Sequence, residues 1–358
     1  MGQKSMLYVG IAIGLIALLV ASSGLFLQLS ALQRIEARID TLEQELTKPK
    51  ILYALKDALN KTIVVIPRGA ERPPGIPDEW TVVRSPPERI ASFAPSITAT
   101  LFKIGLGDKV VVVTKWDEWP PEVVEKKRRG LVTVLESIVE PEVEKVMAAR
   151  PELILTIKMR PEKLKKFEEL GVPVVVIDYG DSVDSIIRAI ILLGRVTGAE
   201  IKAQTLAIEI RNNITRIAQK VSGAPRPKVF WLVWHKPLMT AGGPSFITAL
   251  IEAAGGTNIF ADIPRPWPII SKEELIARNP DVIILTESFR ESGINSVDDF
   301  LKLYPELKDL KAIRDNKFFF VSDAAVQPGP RTAWAVEQIA RLLHPQLFAV
   351  PVPIYATH

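Results

Sequence analysis

The chain has no cysteine. That absence excludes disulfides, thiolate metal sites, thiol nucleophiles and lipid attachment through a cysteine. Histidine is nearly missing as well. Only His235, His344 and His358 occur, too few for a histidine-rich metal cluster. Neither sign of charge dominates: 45 basic and 41 acidic side chains are spread along the chain. With no Lys/Arg block set to track a phosphate backbone, nucleic acid is not an expected partner. The soluble part carries no P-loop, HExxH, GxSxG or GxGxxG pattern. No acid/base set is marked out either. An enzyme is therefore not expected, nor a cofactor, and any nucleotide hydrolysis must come from another chain.

Charge is also absent from one long run. Leu7–Leu29 contains no charged side chain and exceeds the roughly 20 apolar residues that span a bilayer. It predicts a transmembrane anchor over residues 1–30, single-pass, with everything after it on the extracytoplasmic face of the cell membrane. A signal peptide cut near Ser23 or Ala31 is the alternative, although such apolar cores run about 7–15 residues. Gly10, Gly14, Ala17 and Ala21 form a small-residue stripe at helical spacing, which lets two membrane helices approach closely. Leu32, Ile35, Ile39, Leu42 and Leu46 follow heptad spacing over a stalk at 31–49 that Pro49 ends. A weak homodimer through this stripe and stalk, or a lipid-packing helix with an amphipathic spacer, both fit.

Beyond the stalk the chain has the rhythm of an α/β protein. Residues 50–180 read as an N-terminal lobe. A hairpin of Ile51–Leu55 and Thr62–Ile66 leads into a Pro-rich crossing from Pro67 to Pro87. Strands at Arg89–Phe93, Val110–Thr114, Leu153–Ile157 and Val172–Ile177 alternate with helices opened by Pro95, Pro141 and Pro161. The strands are continuous apolar runs, as in parallel sheets buried on both faces. Residues 181–222 are helix-compatible and hold only two glycines, Gly194 and Gly198, before Gly223. They predict one long bridging helix, or two helices meeting near Thr197–Gly198. Residues 223–344 resume the βα rhythm as a C-terminal lobe, and 345–358 form a tail. The expected fold is therefore α/β: two Rossmann-like lobes joined by a long bridging helix, preceded by an N-terminal transmembrane helix.

One stretch echoes another. Glu144-Lys-Val-Met-Ala-Ala-Arg-Pro151-Glu-Leu-Ile-Leu matches Glu273-Glu-Leu-Ile-Ala-Arg-Asn-Pro280-Asp-Val-Ile-Ile in its glutamate, alanine, proline, acid and apolar strand. Two related halves are the simplest reading; a common helix–Pro–acid–strand junction is the bland one.

Tryptophans gather where strands give way to loops: Trp116 and Trp119 before Pro120–Pro121, Trp234 after a strand, and Trp267 between Pro266 and Pro268. Loops beyond strand C-terminal ends are where open α/β sheets bind ligands, and rigid aromatics there offer walls to a large planar ligand. Trp80, Trp231 and Trp334 read instead as core or inter-element plugs. His235 stands in a predicted loop, where alone it carries little weight as a ligand.

These residues resemble the helix-bridged binding proteins of ABC importers for cobalamin, iron siderophores and haem, over roughly Tyr53 to Leu343. The carrying stretches are Arg89-Ile-Ala-Ser-Phe-Ala-Pro-Ser-Ile-Thr-Ala-Thr-Leu-Phe-Lys-Ile-Gly, Ala149-Arg-Pro-Glu-Leu-Ile-Leu, Gly194-Arg-Val-Thr-Gly and Ala253-Ala-Gly-Gly-Thr-Asn-Ile-Phe. Trp116-Asp-Glu-Trp-Pro-Pro and Pro266-Trp-Pro-Ile-Ile-Ser-Lys-Glu-Glu-Leu look most like the cobalamin branch. That resemblance implies a corrinoid ligand facing Trp116 and Trp267, with Asp323 as a polar contact. Val233 and Met239 stand at positions that are aromatic in that branch, and Gln327 where it can carry an arginine. It also implies that Glu144 and Glu273 dock onto a permease, whose ATPase subunits drive release. A siderophore or haem binder is the nearest alternative, with Arg265 and Arg331 as candidate cations for an anionic complex. A tethered sensory receptor is the non-transport one.

Overall fold

The structure, a computed structural model, describes residues 53–348 apart from Pro74 and Arg160. The expected membrane helix, stalk and most of the tail lie outside the described residues. Among those described, no helix is long and apolar enough to cross a membrane. Ala70–Gly75 groups with Met1–Lys50 as a separate unit and has no helix or strand among its described residues. The two-lobed fold belongs to the unit made of Ile51–Gly69 and Ile76–His358.

The first lobe begins with β1 (Tyr53–Lys56), β2 (Thr62–Pro67) and β3 (Thr81–Ser85). β1 and β2 form the expected antiparallel hairpin. β3 lies within the stretch read as a Pro-rich crossing and pairs parallel to β2. Its Thr81, Val83 and Ser85 are buried on one face, an alternation that the flanking prolines obscure. Then come β4 (Ile90–Ser92), α1 (Pro95–Lys103), β5 (Val110–Thr114), α2 (Pro121–Arg128), β6 (Thr133–Leu135), α3 (Val143–Ala148), β7 (Leu153–Thr156), α4 (Pro161–Glu169) and β8 (Val174–Val176). The five strands from β4 on make one wholly parallel sheet in the order β6-β5-β4-β7-β8.

The expected single bridging helix is two. α5 (Val183–Thr197) and α6 (Glu200–Val221) are separated at Gly198, whose φ of 75° is a left-handed cap that L side chains resist. Its N–H bonds the Gly194 carbonyl. A Cβ on Gly194 would sit 2.3 Å from that of Ala203, so the absence of a side chain lets α6 fold back along α5. Arg211 reaches Asp184 at 2.8 Å further along the pair, which makes the two helices antiparallel. The start of α5 is capped by Ser182, which accepts a bond from the Ser185 N–H.

The second lobe holds β9 (Lys228–His235), β10 (Leu238–Thr240), α7 (Phe246–Ala253), β11 (Thr257–Asn258), α8 (Lys272–Arg278), β12 (Val282–Thr286), α9 (Val297–Leu303), α10 (Lys311–Arg314), β13 (Phe318–Val321) and α11 (Thr332–Leu343). β9, β12 and β13 are parallel neighbours, with β11 parallel and β10 antiparallel to β9.

The echoed stretches occupy equivalent places. Each starts a short helix, α3 or α8, and ends on a residue with positive φ before the proline: Arg150 at 48° and Asn279 at 42°. Each then enters a parallel strand, β7 beside β4 in the first lobe and β12 beside β9 in the second. The Glu152 N–H bonds the Arg89 carbonyl and the Asp281 N–H bonds the Lys228 carbonyl, both at 2.8 Å. Two related halves explain this better than a shared junction does.

Strand periodicity sorts the core. In β7, Leu153 and Leu155 face an inner cluster and Ile154 an outer one; in β12, Val282 and Ile284 face inward while Ile283 and Leu285 face outward. The inner cluster runs without a break from Ile90 and Val113 of the first lobe, through Ile190, Leu193, Leu206 and Ile210 of α5 and α6, to Val229, Trp231 and Ile284 of the second. Burying each such side chain contributes about 1.5–3 kcal/mol. A large rotation of one lobe away from the other would forfeit several of these at once.

Candidate ligand-binding site

Parallel strands place their C-terminal ends along one edge of each sheet, and Trp116, Trp119, Trp267, Asp323 and Arg331 sit on loops between elements. Trp234 and His235, expected beyond the strand, are instead the last two residues of β9, because the chain carries its ladder on to pair with β10, where Met239 lies. Thr114 ends β5, and the chain turns at once to present Trp116, 46% exposed. The turn is set by Asp117, fully buried, whose Oδ2 accepts bonds from the Thr114 N–H at 2.6 Å and the Thr114 hydroxyl at 2.7 Å. Burial pushes this carboxyl above its ordinary value, against the lowering influence of Thr114 and Thr98. Lys115 holds its ammonium 5.0 Å from the Trp116 ring centroid. Trp119 is half-buried and borders an open groove of about 480 Å³ with Phe102, Pro120, Pro121 and Lys126.

On the second lobe, Trp267 is 40% exposed and its loop is clamped from behind. The Thr240 N–H bonds the Pro268 carbonyl at 3.1 Å and the Gly242 N–H bonds the Pro266 carbonyl at 3.0 Å. Two backbone bonds thus bracket Trp267. The approach is so close that a Cβ on Gly242 would lie 1.9 Å from the Arg265 carbonyl oxygen. Phe246 at the start of α7 meets the Trp267 ring edge-on at 6.2 Å. Arg265 supplies this backbone contact and is exposed.

Trp234, 48% exposed, stands opposite Met239 across the β9–β10 pair, and Met239 bridges to Ile269. Trp234, Met239 and Ile269 therefore form one row that ends two residues from Trp267. Val233 packs on the inner core instead, because neighbours on a strand point to opposite faces. His235 is half-buried between Trp234, at 5.5 Å, and Phe289, at 5.9 Å. Its Nδ1 is buried with no protein partner, and burial, then Lys236, lowers its pKa. The Tyr304 hydroxyl donates to the His235 carbonyl.

Asp323 opens the turn after β13, and its Oδ2 accepts from the Ser288 N–H at 3.0 Å, tying the loops beyond β12 and β13 together. That loop continues to Gly329, where a Cβ would lie 3.4 Å from the Ser96 carbonyl oxygen of α1, and to Arg331. The Arg331 guanidinium lies 4.6 Å from the Trp119 ring centroid and donates to the Gln327 side chain at 3.0 Å. Burial lowers its pKa.

The geometry thus brings Trp119 and Arg331 together across the lobes, and Trp234 and Met239 within one. It keeps Trp116 and Trp267 out of the cores, each on its own lobe. Of the tryptophans read as plugs, Trp231 is buried and Trp80 half-buried, whereas Trp334 is 40% exposed: it lies on the outward face of α11, and helix periodicity alone does not say which face packs. Asp117, Phe246 and Phe289 are additions that sequence reasoning misses. Asp117 has a signal, since an acid inside a Trp-x-x-Trp turn is placed to bond back to the strand end. Glu144 and Glu273 are both exposed at the second residue of equivalent helices, α3 and α8.

Residues 90–325, more than half the chain, match the family model described as "Periplasmic binding protein". The chain belongs to that family, as its resemblance to the binding proteins of ABC importers leads one to expect. It is 28% identical over 262 residues to a "Vitamin B12-binding protein" of Vibrio parahaemolyticus, covering 72% of this chain and 90% of the relative. It is 26% identical over 275 residues to an "Uncharacterized ABC transporter substrate-binding lipoprotein YvrC" of Bacillus subtilis, covering 74% and 83% respectively. Among solved structures it resembles the periplasmic heme-binding protein RhuT of Roseiflexus sp. RS-1, with a TM-score of 0.65 and 26% identity over 73% of this chain and 99% of that one.

Proposed function

We propose that this chain is the substrate-binding component of an ABC importer, held at the extracytoplasmic face by its N-terminal segment, and that it captures a corrinoid between its lobes. The observation that carries the reading is the set of half-exposed indole rings on both lobes, two on loops and one at the end of β9. Trp116 comes from the first lobe and Trp234 and Trp267 from the second, exposed at 46%, 48% and 40%. Large aromatic surfaces left in water on two lobes suit a broad, flat, mostly apolar ligand. Trp116 and Trp267 are then the walls, Asp323 is a polar anchor, and Trp119, Val233, Trp234, His235, Met239 and Arg331 border the ligand. The unbroken inner core favours a small closure on binding. Glu144 and Glu273, one on each half, present the loaded receptor to a permease with a near-twofold surface. The likeness to a heme-binding protein of known structure makes haem the second reading.

The experiment is a titration of residues 50–358 with cobalamin, cobinamide, haem and a ferric siderophore, following tryptophan quenching. Cobalamin and cobinamide are expected to quench and saturate. Saturation by haem or the siderophore alone would reassign the ligand, and saturation by none would remove the site.

A further inference from the structure

Asp117 is a buried carboxylate that contact with a ligand does not explain. None of its surface is exposed. It makes two side-chain bonds to Thr114 at 2.6 and 2.7 Å, and its own N–H donates to the Thr114 carbonyl at 3.2 Å. Three bonds thus close a turn whose two intervening residues are Lys115 and Trp116. Lys127 adds a fourth restraint, donating from Nζ to the Lys115 carbonyl at 2.8 Å. The second carboxyl oxygen, Oδ1, is buried without a protein partner.

Burying a carboxyl group with one oxygen outside hydrogen-bond distance of any protein partner is unfavourable, even with the Thr98 hydroxyl near enough to lower its pKa. The contrast with Trp267 shows what the carboxylate does. The Trp267 loop is clamped by β-type backbone bonds and braced by Phe246. Trp116 has no ring neighbour among the described residues; only the Lys115 ammonium lies over it. Its backbone is held by the Asp117 turn.

We propose that Asp117 is a positioning residue for ligand capture: by locking the Thr114–Asp117 turn it holds the Trp116 indole ready at the rim before ligand arrives. This rests on the reading of Trp116 as a ligand wall. Its physical basis is that a side chain ordered in advance loses less freedom on binding than one that must be fixed by the ligand.

The test measures hydroxocobalamin affinity of the full-length chain and of D117A, D117N, T114V, W116A and the double variant D117A/W116A, each checked for folding by thermal melting. D117A removes hydrogen bonds to an ionisable group and is expected to weaken binding by on the order of tenfold. D117N keeps an acceptor for both Thr114 donors and is expected to restore affinity to within about twofold of wild type. T114V, which loses only the hydroxyl bond, falls between. If Asp117 acts through Trp116, the double variant binds no more weakly than W116A. Should D117A fail to fold, T114V in the presence and absence of W116A gives the same comparison. The assignment is overturned if folded D117A, or T114V in its place, binds like wild type, or weakens binding equally with and without Trp116. A W116A variant that binds like wild type would overturn the site reading as well. A W116A variant that binds weakly, beside an unaffected D117A, would overturn only the role of Asp117.

Discussion

The guanidinium of Arg331 covers the ring of Trp119 at 4.6 Å, so a cation from the second lobe rests on an aromatic face from the first. Among the described residues no carboxylate pairs with this arginine; it bonds Gln327 at 3.0 Å. A partly desolvated cation–aromatic contact contributes about 0.5–2 kcal/mol. Arg331→Ala is therefore expected to lower stability by about that amount. It should also make Trp119 more accessible to acrylamide, read as stronger fluorescence quenching than in wild type. Unchanged quenching would mean that the two side chains do not meet in solution.

Glu144 and Glu273 occupy the same position on equivalent helices and both are exposed. Reversing both charges, E144R with E273R, is expected to leave ligand affinity within about twofold while abolishing stimulation of the partner ATPase. Rim charges govern docking rather than distant sites. Full stimulation by the double variant would assign docking elsewhere.

Gly242 has no room for a side chain against the Arg265 carbonyl. Gly242→Ala must push back the loop that carries Trp267. Overpacking of this kind costs about 1–3 kcal/mol, and ligand affinity is expected to fall with stability. Ala on Gly223, where nothing lies within 4 Å, is the control and should change neither.

His344 is buried, with Nε2 at 3.2 Å from the Gly255 carbonyl oxygen. Burial lowers its pKa below 6.5, outweighing the bonds to Gly255 and Ala254. Because the folded state resists the proton more than the unfolded chain does, this site favours folding fully above about pH 6.5. That contribution is lost progressively as pH falls from there toward the folded-state pKa. Melting temperature is expected to drop through that acidic window in wild type and to drop less in His344→Gln. Equal slopes would remove His344 as the cause.

The sequence exposes some of this architecture and hides the rest for physical reasons. The parallel strands β4, β5, β7 and β8 are readable because burial on both faces makes them unbroken apolar runs, whereas β6 and β11, of three and two residues, are too short to show one. The echoed junction is readable because Arg150 and Asn279 each end a helix before a proline. β3 is hidden because a strand of five residues, set between Pro77 and Pro86, leaves too short an alternation. α2 is hidden because a single buried residue, Val123, gives it no apolar stripe. The break at Gly198 is one of two readings the residues allow; the deciding contact, Gly194 against Ala203, is between helices. At the site, loop tryptophans are visible in the chain, but the Trp119–Arg331 pairing joins residues far apart in sequence. That depends on how the lobes pack.

A corrinoid held between indole rings from both lobes would be visible in crystals of residues 50–358 grown with hydroxocobalamin. The expected result is corrin density in contact with both Trp116 and Trp267, with the lobes moved little from their present positions. Density seated elsewhere, or touching only one of those rings, would contradict it.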